Sequence, residues 1–222
     1  MDINKFYEFF QPGKHKERIH IIGCGAVGST IAELLVRMGL TKFTLYDEDI
    51  VEAHNIANQM FRDIDILKPK VDALEDIMRE INPDVEIKKC GFYKDQILNG
   101  YVFMAVDKVS VRREIVKNNM GNAAIKAVFD ARIRLTDAQA YAARWDNQAE
   151  KNNLLKSLNF TDEEADAETP VSACNMTLSV APTVRLICNY VVANFINILN
   201  SDEENFKKMI LIDAFTFSVD AF

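Results

Sequence analysis

Three glycines, Gly23, Gly25 and Gly28, stand in G-x-G-x-x-G spacing directly after the apolar residues 18–22. A strand that runs into such a turn brings backbone N–H groups close to a phosphate. The helix that follows offers the same anion its unpaired N-terminal donors and the positive end of its dipole. Asp47 ends the next apolar run, Lys42–Tyr46, where a carboxylate meets a ribose hydroxyl. Behind it come Asp49, Asn55, Gln59 and Arg62, then Lys68-Pro69-Lys70, and then the apolar residues 101–106, closed by Asp107. Hydride transfer has no use for a lysine at this place. Chemistry on the phosphates of ATP does, because charge builds on the α-phosphoryl and pyrophosphate oxygens in the transition state and a fixed cation lowers that barrier. A carboxylate at Asp107 suits Mg²⁺, which takes one or two carboxylates together with phosphate oxygens.

These residues are far apart in the chain, so a fold must gather them. Ile31, Leu34, Leu35 and Met38 recur at helical spacing and Gly39 closes that helix; Val71, Leu74, Ile77, Met78 and Ile81 make another, opened by Lys70 and ended by Asn82-Pro83. Residues 85–90 and 101–106 read as strands, the second nearly all apolar and therefore central. A helix over 110–120 capped by Ser110 and a strand over 127–130 follow. Residues 133–145 alternate, which suits an antiparallel strand with one wet face. Residues 146–169 are acid-rich and read as a loop or a short surface helix; 182–199 form a long apolar helix and 208–217 a last strand. The sum is an α/β protein, a doubly wound, mostly parallel Rossmann-like sheet with antiparallel strands at the C-terminal side. We expect one nucleotide-binding domain over 1–222, with an N-terminal arm (1–17) carrying Phe6, Tyr7, Phe9 and Phe10, and a polar crossover loop (146–175). In such a sheet the carboxyl ends of the strands form the ligand crevice, which would collect the glycine turn, Asp47 and Asp107. The polar, aperiodic connection 51–69 is long enough to be functional and would cover that crevice.

Composition narrows the partners. A net charge of −7 over 222 residues argues against nucleic acid and anionic membranes, which need clustered Lys and Arg. The four cysteines, Cys24, Cys90, Cys174 and Cys188, are scattered with no C-x-x-C pair, which points to a reducing cytoplasm and away from a zinc knuckle. The first ten residues do not resemble a signal peptide. The apolar stretch 184–199 is broken by Arg185 and three asparagines and is too short to span a bilayer comfortably.

Five elements in this order and spacing resemble the ThiF/MoeB/HesA superfamily, which includes the ubiquitin-activating enzymes: the glycine fingerprint, Asp47-x-Asp49, Asn55-Ile-Ala-Asn-Gln59, Lys68-Pro-Lys70, and a strand ending in Asp107 with Arg112 five residues on. The resemblance runs from residue 19 to about residue 198. It implies ATP-dependent adenylation of a C-terminal carboxylate on a ubiquitin-like or sulfur-carrier protein or peptide, with pyrophosphate released, and assembly as a homodimer or heterodimer. By position, Asp47 would bind the ribose, Asn55 and Lys70 the phosphates and Asp107 the magnesium, with Gln59 supporting the loop. The chain also departs from the pattern. Asn58 stands where the family has arginine, with Arg62 nearby as a substitute cation; the family's N-terminal arginine has no match; Lys108 replaces an asparagine; and Cys174 falls near where some members carry a thiol. Three further readings therefore remain: a catalytically weak or inactive binding subunit, an NAD-dependent oxidoreductase, and a tRNA-modifying relative, against which the acidic balance counts.

Overall fold

The computed structural model describes residues 1–172 and 177–222. Eight strands form one sheet: β1 (Ile19–Ile22), β2 (Lys42–Tyr46), β3 (Glu86–Cys90), β4 (Gly100–Met104), β5 (Ile125–Ile133), β6 (Asp137–Arg144), β7 (Met209–Asp213) and β8 (Ser218–Ala221). Their order is β3-β2-β1-β4-β5-β6-β7-β8, parallel through β5 and antiparallel beyond it. The two wholly buried apolar strands, β1 and β4, lie side by side in the middle, while β3, with three charged residues in five, takes the edge. The strand order reverses between β1 and β4, so the crevice outside their carboxyl ends is the topological switch point where ligands bind in such sheets.

Among the described residues six helices cover the sheet. On one face α1 (Ala26–Arg37) packs between α2 (Lys70–Ile81) and α6 (Ala181–Leu199); on the other lie α3 (Val109–Asn119), α4 (Gln148–Lys156) and α5 (Asp162–Glu168). Among the described residues α6 is the one helix long and apolar enough to cross a membrane. It lies on the sheet instead, with Phe195 edge-on against Tyr101, Phe103 and Phe129. The N-terminal arm docks on its own chain through Phe10, which is 1% exposed, and Pro12, while Tyr7 and Phe9 stay exposed.

The structure corrects four details of the sequence reading. Residues 146–169 carry two helices: Asn147 caps α4 by accepting from the N–H groups of Ala149 and Glu150, and α4 buries Leu154 together with the charged Glu150 and Lys151. Ser110 is not the cap of α3. Lys108 holds that position, and Ser110 donates its N–H and hydroxyl to Asp162 of α5 at 3.1 and 2.6 Å. The chain turns once more after β7 to add β8. The connection 51–69 is built around buried Val51, Asn55, Phe61 and Asp65 and contains two short 3₁₀ turns, Ala53–Ala57 and Asp63–Asp65.

Candidate functional site

The glycine turn is held by backbone contacts that leave no room for side chains at two positions. Gly23 has φ +94° and donates to the Tyr46 carbonyl at 2.8 Å; a Cβ there would stand 2.6 Å from the Ala105 oxygen, so the turn is wedged against the end of β4. At Gly28 a Cβ would stand 1.8 Å from the Gly23 oxygen, which presses α1 onto the turn. Over Gly25 the space is open, with no atom within 4 Å of a Cβ. Gly25 is also the N-cap of α1, and no side chain caps that helix. Its first-turn N–H groups thus have no capping side chain, the arrangement in which a helix N-terminus receives an anion.

Asp47 closes one side of this turn. Its Oδ2 accepts the Cys24 N–H at 2.7 Å and its Oδ1 the Asp49 N–H at 2.9 Å. Burial pushes its carboxyl above the ordinary carboxylate range, against the pull of those two N–H groups and of Lys70. Lys70 arrives because Ile50 and Pro69 form an isolated antiparallel bridge, with the Lys70 N–H on the Asp49 carbonyl at 2.9 Å. The Lys70 side chain is 10% exposed, and its ammonium donates to the exposed Asp49 carboxylate at 2.7 Å. A cation at the first residue of a helix opposes the helix dipole, so α2 does not gain from lysine there. Cys24 is fully buried, and burial holds its thiol well above the usual range, which makes it a packed thiol rather than a nucleophile.

Asn55 is buried and its Oδ1 accepts the Glu52 N–H at 2.9 Å, fixing the start of the segment 55–62. That segment is tied to α1 where Ser29 Oγ accepts the Met60 N–H at 3.2 Å. The Gln59 side-chain oxygen is buried with no hydrogen-bond partner, an acceptor that the protein's own atoms leave unmet. Asp107 is exposed at the end of β4 and accepts the N–H of Lys108 at 2.8 Å. The approach to Asp107 is fixed by buried Arg112, whose Nε donates to the Val106 carbonyl at 2.8 Å while its Nη1 donates to the Ala131 carbonyl at 3.0 Å and pairs with Asp130. Asp130, fully buried, also holds Arg132 at 2.5 Å. Among the described residues no three His, Cys, Asp or Glu side chains converge on a metal. Asp107 therefore fits only an ion that brings most of its oxygens from elsewhere, as Mg²⁺ on phosphates does.

The structure brings Gly23, Gly25, Asp47, Asp49 and Lys70 together and ties the segment that carries Asn55 and Gln59 to α1 through Met60. Arg62 is paired away from this group. Its guanidinium is taken by buried Asp65 at 2.9 Å and by Glu80 at 2.6 Å, which hold it firmly charged and leave it committed to that pair instead of free for a phosphate. Cys174 lies outside the described residues. One residue passed over in the sequence is Arg185, which the apolar pattern of α6 registers only as an interruption. Its guanidinium donates to Thr30 Oγ1 and to the Gln59 carbonyl.

Comparison with known proteins agrees with this architecture. The profile of the ThiF family matches residues 3–222. Ubiquitin-like modifier-activating enzyme 5 of Branchiostoma floridae is 38% identical over 92 residues, which is 41% of this chain and 22% of that protein; the Arabidopsis thaliana protein of the same name is 41% identical over 70 residues, 32% of this chain and 16% of that protein. The matched part is thus about a fifth of these curated relatives. Among solved structures, PaaA superposes with a TM-score of 0.70 at 18% identity, covering 93% of this chain and 64% of PaaA. E. coli MccB with ATP gives 0.68 at 15% identity, covering 93% and 63%.

Proposed function

The chain belongs to the ThiF family, and from that premise we propose that it adenylates the C-terminal carboxylate of a ubiquitin-like or sulfur-carrier protein or peptide, using ATP. One observation carries the reading: the Lys70 ammonium, enclosed beside the glycine turn and Asp47, at a helix position that gains nothing from a cation. The acceptor carboxylate, already ionised, needs no general base. Its oxygen attacks the α-phosphorus, the bond from that phosphorus to the bridging oxygen of the β-phosphate breaks, and pyrophosphate leaves with the electron pair. The α1 N–H groups receive the phosphate chain over Gly25, Asp47 turns its remaining lone pairs to the ribose, and Asn55 and Gln59 cover the phosphates. Lys70 leaves Asp49 for the α-phosphoryl oxygens as charge develops there. Magnesium held by Asp107 and phosphate oxygens would neutralise part of the triphosphate charge. Assembly as a homodimer or heterodimer belongs to the same reading, and sedimentation at micromolar concentration as a strict monomer would count against it.

Relatives support the substrate class by name, since MccB has been solved with N-formylated MccA and the curated relatives are called ubiquitin-like modifier-activating enzymes. ATP–pyrophosphate exchange with candidate acceptors is the test. Lys70→Ala and Asp107→Ala should each lower exchange on the order of a hundredfold or more with thermal stability retained, since Asp49 and Asp107 are exposed. Full exchange in Lys70→Ala, or NADH binding that ATP does not displace, would refute the proposal. A second reading, a weak or inactive binding subunit, is favoured by Asn58 and by the commitment of Arg62 to Asp65 and Glu80.

A further inference from the structure

Arg185 projects from the second turn of α6 against α1. One turn later Cys188 Sγ meets the Val27 carbonyl at 3.6 Å, so this end of α6 lies across the opening turns of α1. The Arg185 guanidinium donates to Thr30 Oγ1, which itself donates to the Ala26 carbonyl at 2.7 Å, and to the Gln59 carbonyl at 3.4 Å. Two neutral contacts therefore place it between the second turn of α1 and the segment 55–62. Among the described residues Arg185 meets no carboxylate. Arg113 is the other arginine without one, and it spends its donors on the Leu158 and Phe160 carbonyls past the end of α4. Arg185 has no such sink. It is half-buried, most of its five N–H donors meet no acceptor among the described residues, and a planar guanidinium in that state is matched by a phosphate or carboxylate. Beside it the Gln59 side-chain oxygen is buried and unmet, position 58 is neutral, and Arg62 is paired elsewhere.

Resting on the nucleotide reading above, we propose that Arg185 is a phosphate-binding residue of this site, supplying from α6 the positive charge that the segment 55–62 does not. The anion it takes is the phosphate chain of a nucleoside triphosphate, reached over the first turn of α1 when the long contact to Gln59 is exchanged for a charged oxygen. The sequence conceals this because a single arginine inside an apolar helical repeat reads as a flaw in the repeat.

The experiment is equilibrium binding of ATP, and of adenosine as a phosphate-free competitor, to the full chain and to Arg185→Lys, Arg185→Gln and Arg185→Met. Loss of the charge in the Gln and Met variants should weaken ATP on the order of tenfold to a hundredfold, leave adenosine unchanged, and be partly restored by lysine. Wild-type ATP affinity in Arg185→Gln, or equal affinities in the Gln and Lys variants, would overturn the assignment while leaving the nucleotide reading intact. ATP and adenosine weakened together with a lowered thermal midpoint would make Arg185 a packing residue, which also overturns it. Should Arg185→Met not fold, the comparison of Gln with Lys decides. A wild-type chain that binds no ATP at all refutes the nucleotide reading, and this assignment with it.

Discussion

Alanine substitutions at Gly25 and Gly28 should separate ligand binding from folding, because the two glycines are there for different reasons. At Gly28 a Cβ would stand 1.8 Å from the Gly23 oxygen, and since real Cβ contacts require 3.0 Å, α1 would have to retreat by about 1.2 Å. Overpacking of this kind costs roughly 1–3 kcal/mol. For a domain of this size that lowers the thermal midpoint by roughly 2–12 °C. It also draws the first-turn N–H groups away from any phosphate. At Gly25 a Cβ meets no atom within 4 Å, and φ is −74°, so alanine should cost less than about 1 kcal/mol. Its methyl group would nevertheless occupy the space through which a phosphate approaches the backbone, and the loss of one or two charge-assisted N–H contacts weakens ATP on the order of tenfold to a hundredfold. Thermal unfolding and calorimetric ATP titration of both variants measure the two effects. Gly25→Ala binding ATP like the wild type would refute the view that the open space over Gly25 is the ligand's; Gly25→Ala unfolding like Gly28→Ala would refute the division itself.

Three further outcomes follow from the same geometry. His20 is buried, with Nδ1 at 3.0 Å from the Tyr46 hydroxyl and Nε2 facing the Asn99 N–H, and burial lowers its pKa from 6.5 to about 4. The folded state therefore binds this proton more weakly than the unfolded chain. On the order of 3 kcal/mol of stability is present above pH 6.5 and lost as the pH falls towards 4, and urea unfolding of His20→Gln should lack that part of the pH slope. Parallel curves for the two proteins would contradict it. Arg112→Met leaves Asp130 with Arg132 as its remaining partner and frees the Val106 carbonyl; a loss of about 3–5 kcal/mol is expected in denaturant titration, and a loss under 1 kcal/mol would show the buried triad to be dispensable. Arg62→Met should lower stability by breaking its pair with buried Asp65 while leaving ATP affinity within about threefold of wild type, a change under 1 kcal/mol; a large loss of affinity would return Arg62 to the site.

The parallel half of the sheet was legible because its signals are local. Buried strands read as unbroken apolar runs, α1 and α2 as repeats of 3.6, and the glycine turn as spacing that few other structures require. The acid-rich stretch was not legible in the same way. Of the residues α4 buries, Glu150 and Lys151 are charged and are satisfied by partners elsewhere, Glu150 by the Arg144 backbone and guanidinium and Lys151 by the Met120 carbonyl at 2.9 Å. No periodicity of apolar residues marks such a helix. Ser110 failed as a cap for a related reason: its hydroxyl, the group a cap offers, is held by Asp162, 52 residues on, at 2.6 Å.

By itself the sequence determined the elements of the parallel half, the glycine turn that opens α1, and a list of polar residues for the proposed site, since hydrophobic period and glycine spacing depend on near neighbours. Only the tertiary structure decided which partner each charge meets. Lys70 reaches the glycine turn, Arg62 is consumed by Asp65 and Glu80, and Arg185 meets no carboxylate among the described residues. Apart from the local Arg62–Asp65 pair, those outcomes depend on contacts over 18 to 155 residues of separation. Whether a carboxylate stands beside a cation is a property of packed elements, and no spacing along the chain encodes it.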